Sequence, residues 1–139
     1  MVAYLRTVPP IANPSLPAPR PPSAITLHEP GQGGNPLGEQ IYAEACASCH
    51  GWAGKSPISR LATIAGARSV NDPSGVNVAQ VILFGGGRQP GEAGMAMPAF
   101  GDAYSDAEIA AAANYVTARF GAVGSRLTAE NVASLRLTR

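Results

Sequence analysis

The sequence is poor in charge and in lysine. Charged residues make up 14% of the 139 residues, the formal net charge at pH 7 is +1, and Lys55 is the single lysine. Binding to nucleic acid or to an anionic membrane by charge needs a basic patch, so neither partner is expected. A freely diffusing protein that docks through a basic face would show a lysine cluster. The lack of one favours a protein held in a larger assembly.

Long apolar runs are also lacking. No stretch reaches the roughly 18 uninterrupted apolar residues of a membrane-spanning helix, so no span is predicted. Pro9, Pro10 and Pro14 interrupt any apolar segment after Arg6, which argues against a signal peptide in this stretch. If the protein is exported, its targeting information is expected to have been removed or to lie upstream.

Proline, by contrast, is abundant near the N-terminus. Nine of the thirteen prolines fall between Pro9 and Pro36, and such a stretch cannot hold a regular helix. Residues 1–36 are therefore interpreted as an extended, partly polyproline linker. The chain length suits one domain plus extensions. The domain is expected at residues 37–122, followed by a C-terminal extension with a short helix at residues 123–139.

Two longer helices are predicted from periodicity and capping signals. The first starts at Leu37, and its apolar face consists of Gly38, Ile41, Tyr42 and Ala45. The second follows Ser105, because Ser105 and Glu108 form a capping box, and Gly121 is placed as the C′ residue that ends it. Its predicted buried stripe is Ile109, Ala112, Ala113, Val116 and Phe120.

Shorter segments complete the prediction of an all-α fold. Residues 77–84 predict a short helix, although their β-branched residues leave a strand as the alternative. The side of this helix that shares apolar residues carries Val78, Val81 and Ile82. Thr128 is a cap for a terminal helix that contains Val132 and Leu135. Residues 85–104 are too rich in glycine for regular structure.

The segment Cys46-Ala47-Ser48-Cys49-His50 is a C-x-x-C-H sequence, the attachment signal of haem c. Two thiols add to the two vinyl groups along one porphyrin edge, and two intervening residues let the chain span them. The imidazole of the next residue then lies beneath the iron and binds it through Nε2. One covalent haem c is therefore predicted on Cys46, Cys49 and His50.

Two other chemistries use a similar motif. A disulfide with a thioredoxin-like role belongs in a strand-then-helix context, whereas here the motif follows a helix. A zinc site needs four ligands, and the chain offers only the two cysteines, His50 and the remote His28, which is interpreted as a solvated linker residue. Chance occurrence of the pentapeptide is a third alternative, and the downstream sequence argues against it.

A haem iron needs a sixth ligand or an open position. Thioether sulfur suits an electron-transfer haem and raises its potential relative to a second histidine. Met95 and Met97 both lie in the glycine-rich loop, which can fold over the haem face opposite His50. Met97 precedes Pro98, whose fixed φ stiffens the backbone. Met97 is the predicted ligand, with Met95 as the alternative, and a core methionine that fills a gap is the structural interpretation of either.

Several apolar residues are candidate walls of the haem pocket, and ordinary core packing describes them equally well. They are Trp52, Ile58, Leu61, Ile64, Leu83 and Phe100.

The segments CASCHG and MPAFGDAYSDAEIAAAANYV together resemble class I cytochromes c, over roughly residues 37–121. The resemblance implies a small helical bundle around one covalent haem, in which an N-terminal helix crosses a C-terminal helix. Gly38 and Tyr42 would meet Tyr115 at that crossing. It also implies an electron-transfer protein rather than an enzyme, in the periplasm, because haem c is assembled on the outer side of the bacterial cytoplasmic membrane.

By position, the same resemblance makes Cys46 and Cys49 the attachment residues, His50 the proximal ligand and Met97 the distal ligand. Related cytochromes often place a proline shortly before a Leu-Ala-Gly segment, and its carbonyl accepts the Nδ1–H of the proximal histidine. Residues 61–66 read LATIAG, without that proline. Pro57 or another carbonyl is therefore expected to orient the imidazole.

A narrower resemblance concerns the segments NVAQVILFGG, MPAFG and LTAENVASLR. They are similar to the last haem domain of multi-haem cytochrome subunits of bacterial membrane-bound dehydrogenases. Such subunits take electrons from a quinoprotein, flavin or molybdenum enzyme and pass them towards quinone or an oxidase. Residues 2–10, VAYLRTVPP, resemble the end of a preceding haem domain. The chain is thus expected to be a C-terminal fragment with redox proteins as partners, held at the membrane through its parent protein or complex.

Two functional alternatives remain open at this point. One is a free-standing monohaem carrier. The other is a haem-based ligand sensor or a peroxidase-like protein, which needs an open iron and, for peroxidase chemistry, distal acid–base groups. The distal loop offers Arg88 and Glu92 for that purpose.

Overall fold

The computed structural model describes residues 14–15, 18–21, 34–87 and 96–138. Within these ranges the regular secondary structure is helical, with turns and loops between the helices. The single β feature there is an isolated bridge between Gly86 and Met97. The helices are α1 (Pro36–Ile41), α2 (Ala47–His50), α3 (Val76–Phe84), α4 (Asp106–Phe120) and α5 (Ala129–Arg136). A π-helical turn, Tyr42–Cys46, joins α1 to α2, and a 3-10 turn spans Arg60–Ala62. The predicted all-α class is confirmed.

Helix α1 crosses α4 at close range, and Gly38 makes this approach feasible. A Cβ atom on Gly38 would clash with the carbonyl oxygen of Ala111 and would lie 2.7 Å from the Cβ of Tyr115. The rings of Tyr42 and Tyr115 pack with centroids 5.5 Å apart at the same crossing. The expected meeting of Gly38 and Tyr42 with Tyr115 is therefore found. Helix α1 starts one residue before the predicted domain boundary, because Asn35 caps it and Pro36 occupies its first turn.

Helix α4 is the centre of the core, since α1, α3 and α5 all contact it. The capping box between Ser105 and Glu108 is present, and every residue of the predicted stripe is buried. The prediction for Gly121 was wrong in detail. Gly121 is the C-cap with φ −90° and ψ 175°, not a left-handed C′ residue. A glycine is needed there because a side chain would clash with the carbonyl oxygen of Val70.

Residues 76–84 form a helix, so the strand alternative was wrong. Its buried residues are Val78, Ala79, Ile82 and Leu83. Val81 is 39% exposed, contrary to the predicted face. The observed buried face includes Ala79 and Leu83 and is therefore rotated about the helix axis relative to the predicted face. Val81 lies at the edge of the observed face.

The C-terminal extension is an integral part of the domain. Thr128 and Asn131 form a capping box for α5, whose Val132 is fully buried against the core. The side-chain amide of Asn114 on α4 pairs with the backbone of Leu127, donating to its carbonyl at 2.9 Å and accepting from its N–H at 2.8 Å. These contacts fix the position of α5 on α4.

Part of the predicted linker also contacts the domain. The backbone N–H of Arg20 donates to Oδ1 of Asn71 at 2.8 Å, and its Nη1 donates to the carbonyl of Arg119 at 3.0 Å. The same Oδ1 accepts the backbone N–H of Ala122 at 2.9 Å. Among the described residues, no helix is both long and apolar enough to cross a membrane.

Candidate haem-binding site

The C-x-x-C-H segment forms a single helical turn. Cys46 is the N-cap of α2, and α2 ends at His50 because Gly51 follows with φ 72°. Side chains three and four positions apart are neighbours on a helix surface, so this turn places both Cys49 and His50 next to Cys46. The preceding π-helical turn is not encoded in any motif that sequence reasoning used, and such turns are frequent at functional sites.

Tyr42 is hydrogen-bonded to the residue that follows this turn. Its hydroxyl donates to the carbonyl of Gly51 at 2.7 Å. Burial raises the pKa of Tyr42 above its ordinary value, so the hydroxyl stays protonated and remains a donor.

The two cysteines are half-buried, and no disulfide joins them. Burial, with a smaller contribution from the neighbouring Cys49, raises the pKa of the Cys46 thiol to about 11. A thiol–disulfide catalyst needs the opposite shift, towards the thiolate, so the raised pKa of Cys46 argues against a thioredoxin-like role. In the described part of the chain, no group of three or more His, Cys, Asp or Glu side chains comes together to hold a metal ion. His28 lies outside the described residues.

His50 is oriented by a backbone carbonyl. Its Nδ1 lies 2.7 Å from the carbonyl oxygen of Ala62. A carbonyl can only accept, so Nδ1 carries the hydrogen and Nε2 keeps its lone pair for a metal. The acceptor is thus the carbonyl of Ala62, so the expectation of a carbonyl other than that of Pro57 is the one the structure bears out.

The 3-10 turn Arg60–Ala62 places that carbonyl. The side chain of Ser59 caps the turn by accepting the backbone N–H of Leu61 at 3.2 Å. In turn, Oγ of Ser56 accepts the N–H of Ser59 at 3.1 Å. Any residue can supply a backbone acceptor, so the sequence does not identify this one by residue type. Ser59, as the cap of the 3-10 turn, is a signal from which the turn could have been located.

Met97 is half-buried and packs against the core. It forms a two-way backbone pair with Gly86, in which Met97 accepts at 3.1 Å and donates at 2.6 Å. Phe100, three residues later, donates its N–H to the carbonyl of Ile82 at 2.9 Å. The segment that carries the predicted ligand is therefore fastened to the end of α3. Met95, Arg88 and Glu92 lie outside the described residues.

A shallow, open cleft adjoins Cys46 between α1, α3, α4 and residues 96–104, which we call the Met97 segment. Its lining is mostly apolar and consists of Ile41, Ala45, Cys46, Ile82, Phe100, Tyr104, Glu108, Ile109 and Ala112. The predicted wall residue Leu83 is instead a core residue, whereas Ile64 and Phe100 are half-buried against the core.

Three further predicted wall residues are exposed in the loops after His50. The exposed fractions of Trp52, Ile58 and Leu61 are 44%, 47% and 84%. Two thiols and an imidazole in one helical turn, with an apolar cleft beside Cys46 and exposed apolar side chains nearby, suit a flat, largely apolar haem. The residues present therefore fit the group that the motif implies.

Crossed helices beside a C-x-x-C-H turn with an oriented histidine define a covalent haem protein of the electron-transfer type. The chain belongs to the cytochrome c family, whose model (Cytochrome c) matches residues 36–119. The class I cytochrome c fold is confirmed, and membership makes this an electron-transfer protein rather than an enzyme.

The chain is also 32% identical, over 108 residues, to the gluconate 2-dehydrogenase cytochrome c subunit of Pantoea cypripedii. This match covers 71% of the chain but 24% of the relative, so the chain spans about a quarter of that protein's length.

Proposed function

We propose that this domain transfers single electrons through one haem c, attached to Cys46 and Cys49 and ligated by His50 and Met97. The observation that carries the proposal is the hydrogen bond from Nδ1 of His50 to Ala62. It leaves Nε2 available in the same helical turn that carries both thiols. A ligating histidine whose other nitrogen donates to a carbonyl is the usual arrangement in metal proteins.

When bound, the haem supplies a one-electron iron couple. The protein's part is to hold both axial side chains in place, so that little reorganises when the charge changes. The bond to Ala62 makes the imidazole a stronger donor, while the soft thioether of Met97 favours the reduced state. The lining of the cleft beside Cys46 is mostly apolar, and low polarity there favours the state of lower charge.

We also propose that the domain works in a multi-haem cytochrome subunit, which relays electrons from a dehydrogenase to the respiratory chain. Two observations support this relay. The chain corresponds to about a quarter of a dehydrogenase cytochrome subunit, and its low charge suits tethering better than diffusion. The proposed location is the periplasmic side of the membrane, with redox proteins as partners.

The first experiment is an optical spectrum of the haem-loaded protein, oxidised, reduced, and reduced with carbon monoxide. A methionine-to-iron charge-transfer band without any response to carbon monoxide supports the closed His50/Met97 carrier. Ready carbon monoxide binding with no such band contradicts it and favours a sensor or peroxidase-like protein. The intact mass gives the number of haems, with one per chain expected.

The relay has a separate test in the parent reading frame and its product. Further C-x-x-C-H motifs upstream, and a haem-stained polypeptide in the periplasmic or membrane fraction, are expected. A single motif in the complete frame contradicts the relay and favours a free-standing monohaem carrier.

A further inference from the structure

Arg136, near the end of α5, binds the backbone of the segment that follows Met97. Its Nη1 donates to the carbonyl of Gly101 at 2.6 Å, and its Nη2 donates to the carbonyl of Tyr104 at 2.9 Å. Its Nε pairs with the carboxylate of Asp106 at 2.5 Å. The guanidinium thus uses all three nitrogens, and the planar fork of arginine is suited to such a fixed set of acceptors.

The contacted carbonyls belong to the same segment that α3 holds from the other side. Phe100 and Gly101 donate their N–H groups to the carbonyls of Ile82 and Leu83, at 2.9 and 3.1 Å. Gly101 is therefore bound by α3 through its N–H and by Arg136 through its carbonyl. The Met97 segment is held between α3 and the C-terminal extension.

Arg136 is itself mounted on a firmly packed element. Val132, one turn earlier on α5, is fully buried, and the pairing of Asn114 with Leu127 fixes the start of the extension on α4. The side chains of Arg136 and Asp106 are each 29% exposed, so water screens their attraction only partly. A displacement of the Met97 segment would have to break its hydrogen bonds to α3 or those to Arg136.

We propose that Arg136 is a positioning residue for the axial methionine, and that the C-terminal extension is therefore part of the electron-transfer site. This proposal rests on the proposed ligation by Met97. A thioether is a weak ligand, and it stays on the iron only while its loop stays in place. Arg136 reduces the local opening of that loop, which is the step that would expose the iron to other ligands.

The test compares variants of the full-length, haem-loaded protein. Arg136→Met removes the donors but keeps an unbranched apolar stem, and Arg136→Lys keeps the charge without the fork. Arg126→Met removes the same charge from an exposed position in the same extension and is the matched control. Met97→Ala defines the fully open state. The readouts are the ferric methionine charge-transfer band and the rate of cyanide binding to ferric iron.

Arg136→Met is expected to weaken the band and to speed cyanide binding at least about tenfold, since it removes charge-assisted hydrogen bonds. Arg136→Lys should be intermediate, and Arg126→Met should match the wild type. If Met97→Ala abolishes the band while Arg136→Met keeps the wild-type band and rate, Arg136 only anchors α5 and the inference is overturned.

Two further outcomes are decisive. Should Arg136→Met fail to fold with haem, a wild-type cyanide rate in Arg136→Lys overturns the inference. If Met97→Ala leaves the band unchanged, the proposed ligation itself fails, and this inference fails with it.

Discussion

The Nδ1 of His50 lies 2.7 Å from the carbonyl oxygen of Ala62, twelve residues later in the chain. This bond fixes the plane of the imidazole and its tautomer. It also gives the ring partial anionic character, which stabilises oxidised iron in any metal complex that the ring forms. The acceptor is supplied by a 3-10 turn, so the electronic properties of the proposed ligand depend on a local backbone structure.

The first prediction concerns that turn. Ser59→Ala removes the oxygen that caps the Leu61 N–H and should cost about 1 kcal/mol of stability. A looser turn weakens the bond to His50, so the reduction potential is expected to rise. Potentiometric titration measures this. Ser74→Ala, which removes the oxygen that accepts the Val76 N–H, is the control. Equal potentials in all three proteins would contradict the prediction.

The second prediction concerns Met97 as the proposed distal ligand. Met97→Ala should leave the haem covalently attached, lower the reduction potential and admit carbon monoxide to the reduced iron. The loss of a soft sulfur ligand is the physical reason. Denaturing gel electrophoresis with haem staining checks attachment, and spectroscopy checks ligation. A variant with an unchanged potential would exclude Met97 as the ligand.

The third prediction concerns the crossing of α1 and α4. In an ordinary helix, replacing glycine by alanine stabilises by up to about 1 kcal/mol. At Gly38 the sign should reverse, to a loss of at least about 2 kcal/mol, because the added methyl group has no space beside Ala111 and Tyr115.

Urea unfolding measures the Gly38→Ala effect. Gly86→Ala is the matched control, since its new Cβ would meet nothing nearer than a Val81 methyl group at 3.7 Å. A more stable Gly38→Ala variant would mean that the two helices cross at a greater distance.

The fourth prediction is a pH dependence at the start of α4. The hydroxyl and backbone N–H of Ser105 both donate to Glu108, at 2.6 and 2.8 Å, and lower the pKa of its carboxyl below the ordinary value. Because the folded-state pKa is the lower one, ionised Glu108 stabilises the protein above the unfolded-state pKa. That stabilisation is lost as the pH falls through the folded-state pKa.

Glu108→Gln should therefore unfold at lower urea than the wild type at neutral pH, with the difference shrinking in acid. In a Ser105→Ala background the same substitution should have a smaller effect. A difference that stays constant with pH would assign the effect to packing rather than to charge.

Local signals in the sequence were sufficient to predict much of the fold. The capping box at Ser105 and the cap at Thr128 mark the first residues of α4 and α5, because each depends on side chains close by in the sequence. The C-x-x-C-H turn is equally local. For residues 76–84 the β-branched composition left helix and strand undecided, and packing against α4 settled the conformation.

Features that depend on distant contacts could not be predicted in this way. The bond from His50 ends on a backbone carbonyl, which any residue supplies. Arg136 reaches acceptors 30 to 35 residues away, so no local pattern predicts its contacts. Gly121 was expected to adopt a left-handed conformation. In the structure a glycine is needed there because a side chain would clash with the carbonyl oxygen of Val70.

The contacts of Arg20 with Asn71 and Arg119 have a consequence for the reach of the proline-rich segment. The chain between Pro21 and Gly34 starts and finishes on the same domain, so its length adds nothing to the distance over which an upstream module could range. Only residues before Arg20 would contribute to that distance. A shorter linker raises the effective concentration of the module that it tethers. The rate of electron transfer falls steeply with the separation of the redox groups. The point where the linker is fixed to the domain therefore affects that rate more than the total length of the linker does.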